Sequence, residues 1–118
     1  MSIDKKLLKQ GEIFLVNFDP SFGYEYQGKR PAVIIESEKQ IRKTNLITVV
    51  PLTSNLKNKM ADDILITKNN DNKLISDSII KVYNVCSFDY LRFINKIGIA
   101  DVKIIKQIKD YLKKHFDI

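Results

Sequence analysis

The chain has 118 residues, of which 44% are hydrophobic, so it is long enough for one domain with its own core and too apolar for a disordered chain. A single cysteine, Cys86, and a single histidine, His115, rule out a disulfide framework and leave almost no room for a histidine-dependent metal site or catalytic triad. The net charge of +6 favours a polyanionic partner, although most of the excess is scattered lysine.

The first ten residues lack the apolar core of a signal peptide. No apolar stretch approaches the length of a membrane span. We therefore expect a cytoplasmic protein without a membrane partner. We expect one domain over residues 1–118, with residues 1–10 as either a short helix or a flexible arm.

Short strands dominate the predicted elements. Their β-branched and aromatic composition predicts strands over residues 11–18, 32–36, 45–52, 63–67, 78–85 and 94–99. Residues 37–44 read as a polar connection, residues 68–73 as a turn-rich connector, and residues 89–93 as a short helical turn. Two long polar loops, residues 19–30 and 53–61, complete the pattern. Loops of this length in a compact domain are usually functional or mobile.

The chain is predicted to end in a helix that starts after Asp101, a favourable N-cap residue. Apolar residues recur there at helical spacing, with lysines between them: Ile104, Ile105, Ile108, Leu112 and Phe116. The favoured interpretation is a helix that covers one face of the sheet, and the alternative is a basic stripe that faces RNA. Many short strands and one closing helix predict a mostly β fold with some α structure, a small antiparallel barrel.

The first long loop holds a fixed positive charge beside a proline. Pro31 favours an extended backbone at Arg30, and the Arg30 guanidinium can hold two phosphate oxygens at once. Neighbouring residues of the loop can stack on bases, hydrogen-bond a base edge or ribose, or hold a phosphate: Tyr24, Glu25, Tyr26, Gln27 and Lys29. Loop packing is an equally good interpretation of the tyrosines, Glu25 and Gln27.

The second long loop begins with two hydroxyl side chains, Thr53 and Ser54, directly after the strand that contains Pro51. Such hydroxyls can hydrogen-bond a phosphate or polarise a nucleophile. They also commonly cap turns, which is the alternative role. Asp77 and Ser78 are better explained as turn residues than as part of a site.

Four stretches of the chain together resemble the MazF/PemK toxin family. They read Glu-Ile-Phe-Leu-Val-Asn-Phe-Asp-Pro from Glu12, Gly-Tyr-Glu-Tyr-Gln-Gly-Lys-Arg-Pro-Ala-Val-Ile-Ile from Gly23, Val-Val-Pro-Leu-Thr-Ser from Val49 and Asp-Ser-Ile-Ile from Asp77. The match covers about residues 11–100 in the family's order. The Gln-Gly-x-Arg-Pro and Pro-Leu-Thr-Ser pieces are specific as a pair.

The resemblance implies a compact SH3-like or CcdB-like barrel and a toxin of a type II toxin–antitoxin pair. It implies a sequence-specific, ribosome-independent endoribonuclease that acts as a homodimer on single-stranded RNA and is held inactive by a cognate antitoxin. The family's catalytic arginine and threonine fall on Arg30 and Thr53. We expect metal-independent cleavage without a cofactor, in which the 2′-hydroxyl attacks and leaves 2′,3′-cyclic phosphate and 5′-hydroxyl ends.

The chain departs from the family along the strand that follows Asp77. Many relatives have arginine where Cys86 falls, and the PemK branch has arginine, aspartate and histidine where Lys81, Tyr83 and Tyr24 fall. We therefore expect Lys81 to contact a phosphate and Cys86 to be a small packed residue. Two rival functions remain at this point: a CcdB-like toxin that binds gyrase, and a non-catalytic RNA-binding module.

Overall fold

The computed structural model describes residues 3–23 and 27–118. Within them lie seven strands and two α-helices. The strands are β1 (Glu12–Asn17), β2 (Lys29–Ile34), β3 (Leu46–Thr53), β4 (Ile64–Ile66), β5 (Ser78–Ile80), β6 (Cys86–Asp89) and β7 (Phe93–Ile99). The helices are α1 (Glu38–Lys43) and α2 (Val102–Phe116). Single turns of 3₁₀ helix occur at Lys5–Leu7, Leu56–Asn58, Val82–Asn84 and Tyr90–Arg92.

All strand pairings among the described residues are antiparallel, in the order β4-β5-β3-β2-β1-β7. The long strand β3 is shared on one side, because β6 pairs with its first half and β5 with its last residues. This confirms the predicted mostly β fold with a C-terminal helix. The ladder is not closed within the described residues, so the sheet is open and is not the closed barrel that was predicted.

Apolar side chains pack on both faces of this sheet. One core contains Phe14, Val16, Ala32, Ile34, Ile47, Val49 and Phe93. The other contains Ile13, Val33, Val50, Leu52, Ile80 and Ile108. Because successive residues of a strand point to opposite faces, a strand covered on both sides reads as a continuous apolar run. This explains the unbroken runs Ala32–Ile34 and Val49–Leu52 in the sequence.

Helix α2 covers the second face, as predicted. The Asp101 carboxylate accepts a hydrogen bond from the N–H of Ile104 and caps the helix. Ile108 is fully buried, and Ile104 and Leu112 pack beside it. Phe116 is 56% exposed and lies beyond the sheet, so the predicted apolar stripe ends one turn early.

Three local predictions were wrong. Residues 37–44 contain the helix α1, which Ser37 caps; the periodicity was invisible because Ile41 is its single apolar residue. The strand predicted over residues 78–85 breaks after Ile80, where Lys81 turns into the interior. Arg30 lies in β2 rather than in the preceding loop.

The N-terminal arm packs against the domain over its described part. It forms the short turn Lys5–Leu7, Leu8 is 2% exposed in the first core, and Lys5 Nζ donates to the carbonyl of Thr44 at 3.0 Å. In the described parts of the chain, no helix has the length and apolar character needed to span a membrane.

Candidate functional site

The loop between β1 and β2 is closed at its base by hydrogen bonds. The N–H of Phe18 donates to the carbonyl of Gly28 at 2.8 Å, and the N–H of Gly28 donates to the Asp19 carboxylate at 3.0 Å. Gly28 has φ of 71°, a left-handed conformation that a side chain would strain. The Arg92 guanidinium donates to the carbonyls of Asn17 and Asp19. The end of β1 and the start of β2 are thus held in a fixed relation.

Arg30 lies next to this closed base. It pairs with Val16 of β1, and its Nε donates to the carbonyl of Gln27 at 3.0 Å. The side chain is half-buried, so both its backbone and the plane of its guanidinium are restrained. A pre-oriented guanidinium loses less entropy when it holds an anion through two parallel hydrogen bonds.

Thr53 is the last residue of β3 and pairs with Ile79 of β5. Its Oγ1 accepts a hydrogen bond from the N–H of Asn55 at 3.2 Å, so the hydroxyl has the turn-capping role considered above. A hydroxyl carries one donor and two acceptor positions, and capping uses an acceptor. Thr53 can therefore cap the turn and donate its proton to an anion at the same time. Ser54 follows it and is exposed.

Arg30 and Thr53 lie just beyond the paired part of β2 and β3. The last pair in this ladder is Ala32 with Pro51. Continuing the antiparallel register by two residues places Arg30 opposite Thr53. Residues opposite one another in an antiparallel pair point to the same face, where their side chains are neighbours.

Both side chains line one open groove with a volume of about 660 Å³. Three further predicted site residues line it: Gln27, Lys29 and Ser54. The structure thus brings the ends of two strands and the loops attached to them to one groove, and the roles predicted for these residues stay predictions.

The groove is positively charged over its described lining. Lys29, Arg30 and Lys73 line it, and the described lining residues include no carboxylate, imidazole or thiol. Among the residues described anywhere in the structure, no group of three or more such side chains could hold a metal ion. This chemistry suits a phosphate, and the described lining of the groove contains no carboxylate or imidazole that could act as a general base.

Three predicted RNA-binding residues, Tyr24, Glu25 and Tyr26, lie outside the described residues. Their assignment stays a prediction.

The position of Lys81 argues against the predicted phosphate contact. Its Nζ lies 2.5 Å from Asp63 Oδ2, and the two side chains are 6% and 0% exposed. The Lys81 ammonium also lies 5.7 Å from the ring centroid of Tyr83. An ammonium buried against a carboxylate is a structural element rather than a ligand for RNA in solution. Cys86 is half-buried and packs against the first core, as expected.

Besides the ends of β2 and β3, the groove has a third wall that the motifs did not predict as part of a site. This wall consists of Lys73, Leu74, Ile75 and Ser76, and Ser78 and Ile97 also line the groove. Ser78 donates to the carbonyl of Ser76 at 3.1 Å, and Asp77 accepts from the N–H of Lys68 at 2.9 Å, so these two residues fix the turn as predicted. The sequence feature that could have indicated this wall is the turn-rich connector, residues 68–73, which leads into it.

Comparison with known proteins identifies the family of the chain. Residues 9–116 match the family described as PemK-like, MazF-like toxin of type II toxin-antitoxin system. A curated relative, the endoribonuclease MazF9 of Mycobacterium tuberculosis, is 28% identical over 117 residues, which cover 95% of this chain and 98% of that protein.

Solved structures show the same fold. MazF from Deinococcus radiodurans superposes with a TM-score of 0.82 at 19% identity, covering 94% of this chain and 97% of that one. A mycobacterial endoribonuclease solved with its cognate antitoxin superposes with a TM-score of 0.73 at 15% identity, covering 94% and 96%. Since the family match spans nearly the whole described chain, the protein belongs to the PemK-like, MazF-like toxin family of type II toxin–antitoxin systems.

Proposed function

We propose that this toxin is a metal-independent, sequence-specific endoribonuclease that cleaves single-stranded RNA. The observation that carries the proposal is the Arg30–Thr53 pair in one positively charged groove. The name of the similar Mycobacterium tuberculosis protein, an endoribonuclease, supports the same activity. The described groove lining lacks the carboxylate, imidazole and thiol groups that usually bind catalytic metals, which supports a mechanism based on positioning and charge.

The reaction would use the RNA's own 2′-hydroxyl as the nucleophile. Its oxygen forms a bond to phosphorus while the bond to the 5′-oxygen breaks, and the proton lost by the 2′-hydroxyl is balanced by one gained at the 5′-oxygen. The products are a 2′,3′-cyclic phosphate and a 5′-hydroxyl. Arg30 would stabilise the negative charge that develops on the phosphate oxygens, and Thr53 would donate a further hydrogen bond.

Other groove residues would hold the substrate on either side of the reacting phosphate. Lys29 would contact a neighbouring phosphate, and Gln27 and Ser54 would hydrogen-bond to ribose or base edges. The remaining predicted contacts, Tyr24, Glu25 and Tyr26, would extend the same surface by stacking and hydrogen bonding. No cofactor is required by this scheme.

The proposed partners follow from the family. A cognate antitoxin would inactivate the toxin, with an acidic segment in the same groove, so RNA and antitoxin would compete. The mycobacterial structure with a cognate antitoxin supports such a complex. We further propose a homodimer, detectable by light scattering at micromolar concentration, and a cytoplasmic location, where messenger RNA is available.

A digest of long single-stranded RNA tests the activity. The purified protein is incubated with RNA in excess EDTA and the product ends are mapped. We expect cleavage at preferred sites with cyclic phosphate and 5′-hydroxyl ends. Loss of activity in EDTA or 5′-phosphate ends would contradict the mechanism. RNA binding without cleavage would favour the non-catalytic module, and inhibition of gyrase without cleavage would favour the CcdB-like alternative.

A further inference from the structure

The third wall of the groove presents an isoleucine to solvent beside the proposed catalytic pair. Ile75 is 96% exposed, although it lines the same groove as Arg30 and Thr53. Leu52, another apolar residue of the lining, is 1% exposed and belongs to the core. Ile75 therefore contributes almost nothing to folding and offers its whole side chain to whatever enters the groove.

The turn that carries Ile75 is held rigidly. Asn72 is 1% exposed; its Oδ1 accepts from the N–H groups of Asn69 and Leu74, and its Nδ2 donates to the carbonyl of Thr67. Lys73 follows with φ of 54°, which fixes the direction in which the chain leaves the turn.

The same turn is fixed to strand β7. The N–H of Ile99 donates to the carbonyl of Asp71 at 3.0 Å. Gly98 allows the close approach, because a side chain there would overlap the carbonyl of Asn72. Ile75 and Lys73 thus extend from a scaffold that is braced from within and from the sheet, which is the support that a recognition surface needs.

The charge of the groove indicates the kind of ligand. Lys29, Arg30 and Lys73 border it, and no carboxylate is present in its described lining. Single-stranded RNA alternates anionic phosphates with bases that can be splayed onto apolar or aromatic side chains. A groove that combines three cations with an exposed apolar side chain matches that alternation.

We infer that Ile75 forms a nucleobase subsite next to the scissile phosphate and that Lys73 holds the phosphate of the same nucleotide. This inference rests on the proposed endoribonuclease function. The subsite would contribute to sequence preference, since a base packed on Ile75 is selected by its shape. Lys73 would add affinity without sequence information.

The test uses the variants Ile75→Ser and Lys73→Ala of the full chain. Matched controls are Ile118→Ser, at an isoleucine that is 86% exposed elsewhere, and Lys109→Ala, at an exposed lysine of α2. Cleavage sites are mapped on a randomised RNA pool. Binding is measured against salt concentration with an RNA that carries a 2′-deoxynucleotide at the preferred cleavage site and therefore cannot react.

We expect Ile75→Ser to relax the preference at one nucleotide position and to lower kcat/KM about tenfold, with an unchanged melting temperature. Lys73→Ala should weaken binding at all sequences and reduce the salt slope by about one. The controls should behave as wild type. The subsite is overturned if Ile75→Ser keeps the wild-type nucleotide preference and RNA affinity. It is also overturned if the variant loses activity because it no longer forms the dimer.

The two hypotheses fail differently. If the wild-type protein binds RNA but never cleaves it, the proposed function is wrong, and a subsite next to a scissile phosphate is overturned with it. If the wild type cleaves at preferred sites and Ile75→Ser cleaves at the same sites at the same rate, the subsite is wrong and the function stands.

Discussion

Arg30 and Thr53 each lie two residues beyond the Ala32–Pro51 pair that ends the β2–β3 ladder, and both line one groove. Neither residue depends on a loop for its backbone position, because each belongs to a strand of the main sheet. Sites built on strands hold their geometry better than sites built on loops. The pair is thus suited to a reaction in which positioning and charge supply most of the rate enhancement.

Arg30→Ala should lower RNA cleavage by about 10²-fold or more, because it removes the charge-stabilising donor. Arg30→Lys should recover only part of the loss, since an ammonium cannot hold two oxygens in parallel. Loss of the hydrogen bond to Gln27 should itself lower the stability by about 1 kcal/mol. Initial rates and thermal melts check this, with Arg42→Ala on α1 as control. Wild-type rates in Arg30→Ala would remove the proposed site.

Thr53 can be tested without changing its shape. Thr53→Val removes the hydroxyl and should lower the cleavage rate by about tenfold, as for one lost hydrogen bond to a charged group. Thr53→Ser keeps the hydroxyl and its cap to Asn55, so its rate should stay near wild type. Single-turnover kinetics at saturating enzyme separate this effect from binding. Equal rates in the valine and serine variants would show that the hydroxyl only caps the turn.

The buried pair of Lys81 and Asp63 should determine stability rather than RNA affinity. Lys81→Ala leaves a buried carboxylate without its cation and should destabilise the fold by about 3–5 kcal/mol. The double variant Lys81→Met with Asp63→Leu should recover most of this loss, because neither charge remains buried. Chemical denaturation measures both.

The exposed pair of Lys106 and Asp110 provides the control for this experiment. Their side chains are 76% and 58% exposed, so Lys106→Ala should cost at most about 0.5 kcal/mol. If Lys81→Ala melted like wild type and instead reduced the salt slope of RNA binding, the original assignment of Lys81 as a phosphate contact would be correct.

The two roles considered for α2 can also be separated. Ile108 is fully buried between the helix and the sheet, so Ile108→Ala should destabilise the protein by about 2–5 kcal/mol. Lys109 is exposed on the same helix, and Lys109→Ala should change neither stability nor the salt slope of binding. A reduced salt slope of RNA binding for Lys109→Ala would instead support the alternative in which α2 presents a basic stripe to RNA.

The sequence predicted the positions of the strands well where the signal was local, and the roles of the site residues stay predictions. Strands rich in β-branched residues located β1 and β3, and the two motifs brought Arg30 and Thr53 to adjacent strand ends. The burial of Lys81 could not be read from the sequence, because its partner Asp63 lies 18 residues away, directly before β4. The third wall was missed for a similar reason, since the exposure of Ile75 follows from how Asn72 and β7 fix the turn.

The last prediction concerns whether one proposed active site takes Arg30 and Thr53 from the same subunit or from two subunits. Arg30 and Thr53 line the same groove of a single chain, so each protomer should carry its own complete pair. Mixing the variants Arg30→Ala and Thr53→Val, with subunit exchange, should then give only the average of their separate activities.

If the pair instead formed between subunits, each mixed dimer would regain one intact site. Mixing would then restore roughly a quarter of the wild-type rate, since half of the dimers would be mixed and each would have one of two sites intact. Cleavage assayed before and after exchange, with light scattering to follow the dimer, decides between these outcomes.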